Sequence, residues 1–235
     1  MKSKPDKIFL PGGFDQYAFL GKHFNIADAK ILILGYGAEP VADRMMIAGA
    51  ASVDIVVVSG ELLLQSRMNL KSQKVTVKYM DYDQMSYDAA SFDLVYAQGS
   101  VAFKTRNLIA TQVFRILTPK GFFCLGETVS LREDPPRFIK DIWEASGMAV
   151  LTREALLEYY KERGFVIDTI KNLSHSLQQF YLDSREELDS RLKFMSAEEK
   201  KELKKLIPKL NHEINAYLKQ GGNKYMGFIA HLFHK

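Results

Sequence analysis

The 235 residues contain a single cysteine, Cys124. One thiol excludes an internal disulfide and any zinc cluster built on several cysteines, and it suits a reducing cytoplasm. No sign of charge dominates: 32 Lys and Arg stand against 28 Asp and Glu, a net charge of +4. A balance that close does not require a nucleic acid or an anionic membrane as partner. No apolar run has the length needed to cross a bilayer. The run Ile8 to Leu10 is too short for the core of a signal peptide. The sequence also lacks an internal repeat, a low-complexity linker, a His/Asp/Glu cluster at metal-ligand spacing and a Ser/His/Asp constellation. The expectation is a cytoplasmic protein with no metal site, no membrane and no nucleic-acid partner.

The composition is that of an ordinary globular chain, 47% hydrophobic and 26% charged, long enough to bury a sizeable core. The first half alternates two signals. The runs "KILILG", "VDIVVVS", "KVTVKYM", "FDLVYAQ" and "GFFCLGETVS" read as buried strands. Helical stretches separate them, among them "ELLLQSRMNL" and a segment where Leu108, Gln112, Val113, Ile116 and Leu117 follow helical spacing. "TPKG" reads as the Pro-containing turn that ends the latter. Strands apolar on both faces and separated by helices imply a parallel sheet covered on both sides. With right-handed crossovers this is a doubly wound α/β domain, which binds ligands at the C-terminal strand ends.

The second half changes character. Asp134-Pro135 opens a helix through "RFIKDIWEAS", and Thr152 caps another through "REALLEYYKER". "FVIDTIKNL" is strand-like. Two charged helices follow, each with a capping box: Ser184 with Glu187, and Ser196 with Glu199. Glu198, Glu199 and Glu202 offset the neighbouring lysines. Leu188, Leu192, Leu203, Leu206 and Leu210 supply an apolar stripe, so these helices read as a solvated face over a packed one. "YMGFIAHLF" returns to a strand. The expected organisation is one domain over residues 1–235, with a cover segment at 1–28 and a helical lid at 176–221 inserted before the last of about seven strands.

The stretch "AKILILGYGAEPVADRMMIAGA" is a buried strand, a turn at Gly35-Tyr36-Gly37, and a helix with Pro40 in its first turn. Glycines there allow a ligand to approach the backbone where a Cβ would clash. Asp81 then ends the third strand, Ser91-Phe92-Asp93 precedes the fourth, and "VFRILTPKGFFCLGE" follows. In this order and register, from about residue 29 to 130, the chain resembles the class I S-adenosylmethionine (SAM)-dependent methyltransferases, especially their small-molecule branch. "LLEYYKERGFVIDTI" is similar to that family's late helix and sixth strand. The resemblance implies a Rossmann-like sheet, mostly parallel, with SAM as cofactor and a small-molecule acceptor. It implies that Gly35, Tyr36 and Gly37 lie along the cofactor, and that Asp81 accepts a hydrogen bond from the adenine amino group with Tyr82 beside the ring. Gln98 would end the fourth strand facing the methyl donor. Ser91-Phe92-Asp93 is expected to be structural, with Phe92 packing and Asp93 satisfying backbone.

Two positions depart from the family pattern. Ile33 stands where an acid usually lies near the amino-acid end of the cofactor, and Val57 stands where an acid usually accepts the ribose hydroxyls. A charged hydrogen bond is worth roughly 1.5–3 kcal/mol. Losing two costs about 3–6 kcal/mol, or roughly two to four orders of magnitude in affinity. Ser59 is close enough in sequence to the missing ribose acid to be included as a contact. The departures keep open a second reading, an inactive methyltransferase-like fold serving as a binding or partner subunit. A third reading keeps the cofactor and breaks another bond of its sulfonium. A dinucleotide oxidoreductase is disfavoured by Pro40 at the third glycine position and by Val57. Candidates for a general base, where the acceptor must lose a proton, are Tyr17, His23 and His175. Cys124, mid-strand in an apolar run, is expected to be buried and inert. Trp143, Tyr159 and Tyr160 are expected to pack helices. Nothing in the sequence fixes an oligomeric state.

Overall fold

A computed structural model describes residues 7–235, apart from the side chain of Glu202. The first six residues of the expected cover segment lie outside it. The strands are β1 Lys30–Leu34, β2 Ser52–Val57, β3 Val75–Tyr79, β4 Phe92–Gln98, β5 Leu117–Ser130, β6 Leu151–Thr152, β7 Val166–Asn172 and β8 Met226–His234. The helices are α1 Gly13–Leu20, α2 Glu39–Ile47, α3 Gly60–Asn69, α4 Arg106–Ile116, α5 Arg137–Ala145, α6 Arg153–Lys161, α7 Ser176–Phe194, α8 Ala197–Glu202 and α9 Leu206–Lys219.

The sheet runs β3-β2-β1-β4-β5-β8-β7, with the two-residue β6 beside β5. β1 to β5 are parallel, and β8 lies antiparallel between β5 and β7. This is the doubly wound Rossmann-like sheet read from the sequence. Its strand order reverses between β1 and β4, so the C-terminal ends of these two strands flank the switch point where such sheets bind ligands.

Alternate residues of the central strands feed two cores, as the strand period of two requires. Ile31, Ile33, Ile55, Val57, Leu94 and Tyr96 pack on one side, against α1, α2, α5, α7 and α9. Leu32, Leu34, Val56, Val95 and Ala97 pack on the other, against α4 and α6. Full burial of each such side chain contributes roughly 1.5–3 kcal/mol. Asp93 Oδ2 accepts the Lys30 amide at 2.9 Å, and Phe92 is buried against the Tyr87 ring.

The structure corrects several boundaries. Thr118 to Lys120 continue β5 and form no turn; Leu117 already pairs with Phe92, with an irregularity before Leu94. Leu108 is exposed, and the buried stripe of α4 is Ile109, Ala110, Val113 and Ile116. Ser184 caps nothing. It lies inside α7, its hydroxyl donating to the Phe180 carbonyl, because the buried stripe Leu177, Tyr181, Leu188 starts the helix two turns earlier. The Ser196–Glu199 capping box and the Thr152 cap are both formed. Between β7 and β8 there are thus three helices rather than two, and Leu206 and Leu210 of α9 stay exposed while Ile214, Ala216 and Tyr217 are buried.

Candidate functional site

β1 ends at the glycine turn. Gly35 and Gly37 have φ of 119° and 94°, where a Cβ is strained. The space over them is also occupied: a Cβ on Gly35 would stand 2.8 Å from Ser100 Cβ, and one on Gly37 3.2 Å from Leu10 Cδ2. Ser100 is held there by its hydroxyl, which donates to the Leu34 carbonyl at 2.5 Å. Tyr36, between the glycines, takes its hydroxyl away to accept from Asn69 Nδ2 at 3.0 Å.

Leu10 belongs to a segment fastened on both sides. Gln98, buried at the end of β4, accepts from the Tyr96 hydroxyl at 2.7 Å and donates to the carbonyls of Pro11 and Gly13 at 2.8 and 2.9 Å. The Gly12 amide donates to the Ser176 hydroxyl at the start of α7 at 3.1 Å. Gln98 therefore orders the N-terminal segment, using both ends of its amide to do so.

The other residues singled out in the sequence are placed as follows. Asp81 is exposed just beyond β3, and its carboxylate has no hydrogen-bond or ion-pair partner among the described residues. Tyr82 is buried, its hydroxyl 3.9 Å from where a Gly35 Cβ would lie, and burial raises its pKa. Ser59 is the N-cap of α3, accepting the Leu62 amide at 3.1 Å. Gly35, Gly37, Tyr82 and Gln98 thus cluster around Ser100 and the 10–13 segment. Tyr17 and His23 do not join them. They line a separate 490 Å³ cavity with Asn25 and Ala48, which lie before β1 and after α2, at the opposite end of the sheet. His175 is exposed and lies 3.2 Å from Asp15.

Residues 32–125 match the family model for a methyltransferase domain. That stretch is similar to methyltransferase domains, and the sheet around it is the Rossmann-like methyltransferase fold. A Galdieria sulphuraria protein provisionally named a sarcosine dimethylglycine methyltransferase superposes with a TM-score of 0.75 at 19% identity, over 94% of this chain and 83% of its own. The Haemonchus contortus phosphoethanolamine N-methyltransferase 2, solved with phosphomonomethylethanolamine and S-adenosylhomocysteine, gives 0.76 at 17% identity, over 96% of this chain. This chain spans only 54% of the Haemonchus protein. The (4+2)-cyclase SpnF gives 0.73 at 17% identity, over 94% of this chain and 79% of its own. At these identities the likeness is one of fold. No curated protein sequence matches.

Within the methyltransferase sheet, Ile33 and Val57 are fully buried in the core shared with α2. No carboxylate replaces either at its own position. The remaining fit to a SAM-type cofactor is nonetheless specific. The turn has the positive φ that close backbone approach needs, and Asp81 presents an unpaired acceptor beyond the next strand but one. Leu10 and Ser100 are the side chains that must give way above the glycines.

Sequence reasoning missed four features of the site and its surroundings. Leu10 and Ser100 carried no signal. Glu39, at the first position of α2, is 1% exposed and accepts the Ser66 hydroxyl at 2.6 Å. Glu127, an acid inside an apolar run, is fully buried with Arg106, Nη2 to Oε2 at 3.0 Å, and the Tyr160 hydroxyl donates to it at 3.4 Å. Burial pushes the Glu127 pKa up against the opposing pull of Arg106. Its partners sit on α4 and α6, so the pair braces β5 to those helices. Burial also pushes the Cys124 thiol up to about 12, which leaves it inert at neutral pH. Among the described residues, no group of three His, Cys, Asp or Glu side chains could hold a metal ion, and no helix is long and apolar enough to cross a membrane.

Proposed function

We propose that the chain is a SAM-dependent methyltransferase acting on a small-molecule acceptor, as a cytoplasmic enzyme. The observation that carries the reading is Asp81: a free carboxylate beyond the C-terminal end of β3, in register with a glycine turn that follows β1. When bound, the cofactor would supply a methyl group on a sulfonium, which is transferred by in-line displacement. The chain's own part is to bind and orient. Asp81 would accept from the adenine amino group, with Tyr82 behind the ring, and the Gly35–Gly37 backbone would follow the cofactor's length. Ser59 is already used as a helix cap, so Asp81 carries the main polar recognition. An acceptor with a free lone pair needs no base from the protein. The cover segment, with Leu10 at its tip, and the lid formed by α7 to α9 would enclose the reactants in one domain.

A second reading is favoured by one set of observations. Ile33 and Val57 put hydrocarbon where the family carries acids, and Leu10 and Ser100 fill the space over the glycines. A fold of this kind would serve as a binding or partner subunit without methyl transfer. Calorimetry with SAM and with S-adenosylhomocysteine separates the two, on wild type, Asp81→Ala and Leu10→Gly. Binding that weakens at least about tenfold in Asp81→Ala, the effect of one charged hydrogen bond, and strengthens in Leu10→Gly supports the enzyme. No binding at millimolar ligand, even in Leu10→Gly, sinks the methyltransferase reading and leaves the partner subunit.

A further inference from the structure

A cleft of about 610 Å³ opens between the glycine turn, the N-terminal segment and helices α7 and α9. That volume falls in the range of small-molecule sites. Its walls are largely apolar: Phe9 and Leu10 on one side, Leu188 and Leu210 on the other. Leu210 is 37% exposed and Phe9 42% exposed, so both leave apolar surface open to whatever enters the cleft. Leu10 both lines the cleft and rests on Gly37, and Tyr36 and Gly37 are themselves in the lining, so the cleft opens onto the turn beside Leu10.

The charges in the lining do not cancel evenly. Lys7 is paired with Asp183 at 3.0 Å, and Arg191 with Glu187 at 2.6 Å. Both cations are therefore already neutralised at the rim. Glu39 is different. The residue is 1% exposed and its carboxylate accepts the neutral Ser66 hydroxyl, with no cationic side chain within ion-pair distance among the described residues. A carboxylate so far from water with no cationic side chain is costly unless opposite charge is supplied, and the α2 amide dipoles supply only a fraction of one. The Tyr36 ring in the same lining offers a π face to a cation, while the Phe9 ring already carries Lys7 Nζ at 4.9 Å.

We propose that this cleft binds an amine: a molecule with a protonated nitrogen set toward Glu39 and an apolar body against Leu10, Leu188 and Leu210. On the methyltransferase reading, on which this last step alone rests, the amine is the methyl acceptor, since the cleft opens onto the glycine turn beside Leu10.

The test uses the full chain and three probes of one shape: phenethylamine, phenethyl alcohol and phenylpropionate. Affinities are read by titration calorimetry, and contacts by NMR shifts of the Phe9 and Tyr36 rings. The amine is expected to bind at least about tenfold more tightly than the alcohol, the scale of one charged hydrogen bond, and the carboxylate is expected not to bind. Glu39→Gln should bring the amine down to the level of the alcohol while the alcohol is unchanged. Leu210→Trp, at a half-exposed rim position that tolerates the added ring, should block both. Should Glu39→Gln fail to fold, Leu210→Trp and the ring shifts decide the matter. The proposal is overturned if the carboxylate binds as well as the amine, if a folded Glu39→Gln keeps the amine's affinity, or if Leu210→Trp leaves binding intact. SAM titrated into the same samples keeps the two questions apart. Amine binding without SAM binding upholds the cleft and removes only its role as acceptor site; SAM binding without amine binding overturns the cleft and leaves the enzyme reading standing.

Discussion

His231 lies in the middle of β8, fully buried, with Leu125 and Ile170 as its register partners and the Phe233 ring stacked at 5.5 Å. Neither ring nitrogen has a hydrogen-bond partner among the described residues. Burial, with a smaller contribution from Arg153, pushes its pKa down from 6.5 to about 4. The folded protein therefore holds the neutral ring, while the unfolded chain protonates it readily below pH 6.5. Between those two values the unfolded state binds more protons, so stability falls as the solution is acidified. The full difference amounts to about 3 kcal/mol, at 1.36 kcal/mol per pH unit, lost progressively from near neutral to near pH 4. Glu127 and Glu213, whose pKa values are raised mainly by burial, titrate with the opposite sign, so wild type alone does not isolate the effect. Urea denaturation of wild type and His231→Leu should be compared at half-unit steps from pH 7.5 to pH 4. The variant places an apolar side chain of similar size among apolar neighbours. Its stability relative to wild type should rise by about 3 kcal/mol across that window. A difference that stays flat with pH would refute the reasoning, since it would mean that the imidazole has a polar partner or open access to water.

Two further outcomes follow from the same contacts. Gln98→Leu removes the two bonds that hold Pro11 and Gly13 and leaves the Tyr96 hydroxyl buried without an acceptor; it should cost about 1–3 kcal/mol and speed amide exchange in residues 12–20, and unchanged exchange there would show that Gln98 does not order the segment. Arg106→Met strands Glu127 in the core and should cost about 3–5 kcal/mol, whereas Arg106→Met combined with Glu127→Leu should recover most of it, as chemical denaturation of the three proteins would report.

The sequence by itself determined the alternation of strands and helices, the glycine turn, the structural role of Ser91-Phe92-Asp93 and membership of the methyltransferase fold. The first three are written in local chemistry: a period of two or 3.6, a residue without a Cβ, a cap three positions from its partner; the last rests on the resemblance of the ordered motifs from about residue 29 to 130 to a known family. It also showed the two missing acids, since Ile33 and Val57 are legible in strands that are apolar throughout. What it could not show is what occupies the space above the turn. Ser100 reaches Leu34 across 66 residues, Gln98 reaches Pro11 across 87 and Gly12 reaches Ser176 across 164. No pattern in a window of ten residues encodes such contacts. The same holds for Glu39, which sits in sequence like any acid at a helix start and becomes a buried carboxyl only when α3 packs beside α2 and brings Ser66 to it. Tyr17 and His23 illustrate the converse, because their side chains suit catalysis but the fold sets them in the lining of another cavity. Local periodicity chose the elements, and the packing of distant elements decided which polar groups meet water, which meet each other, and which are left to meet a ligand.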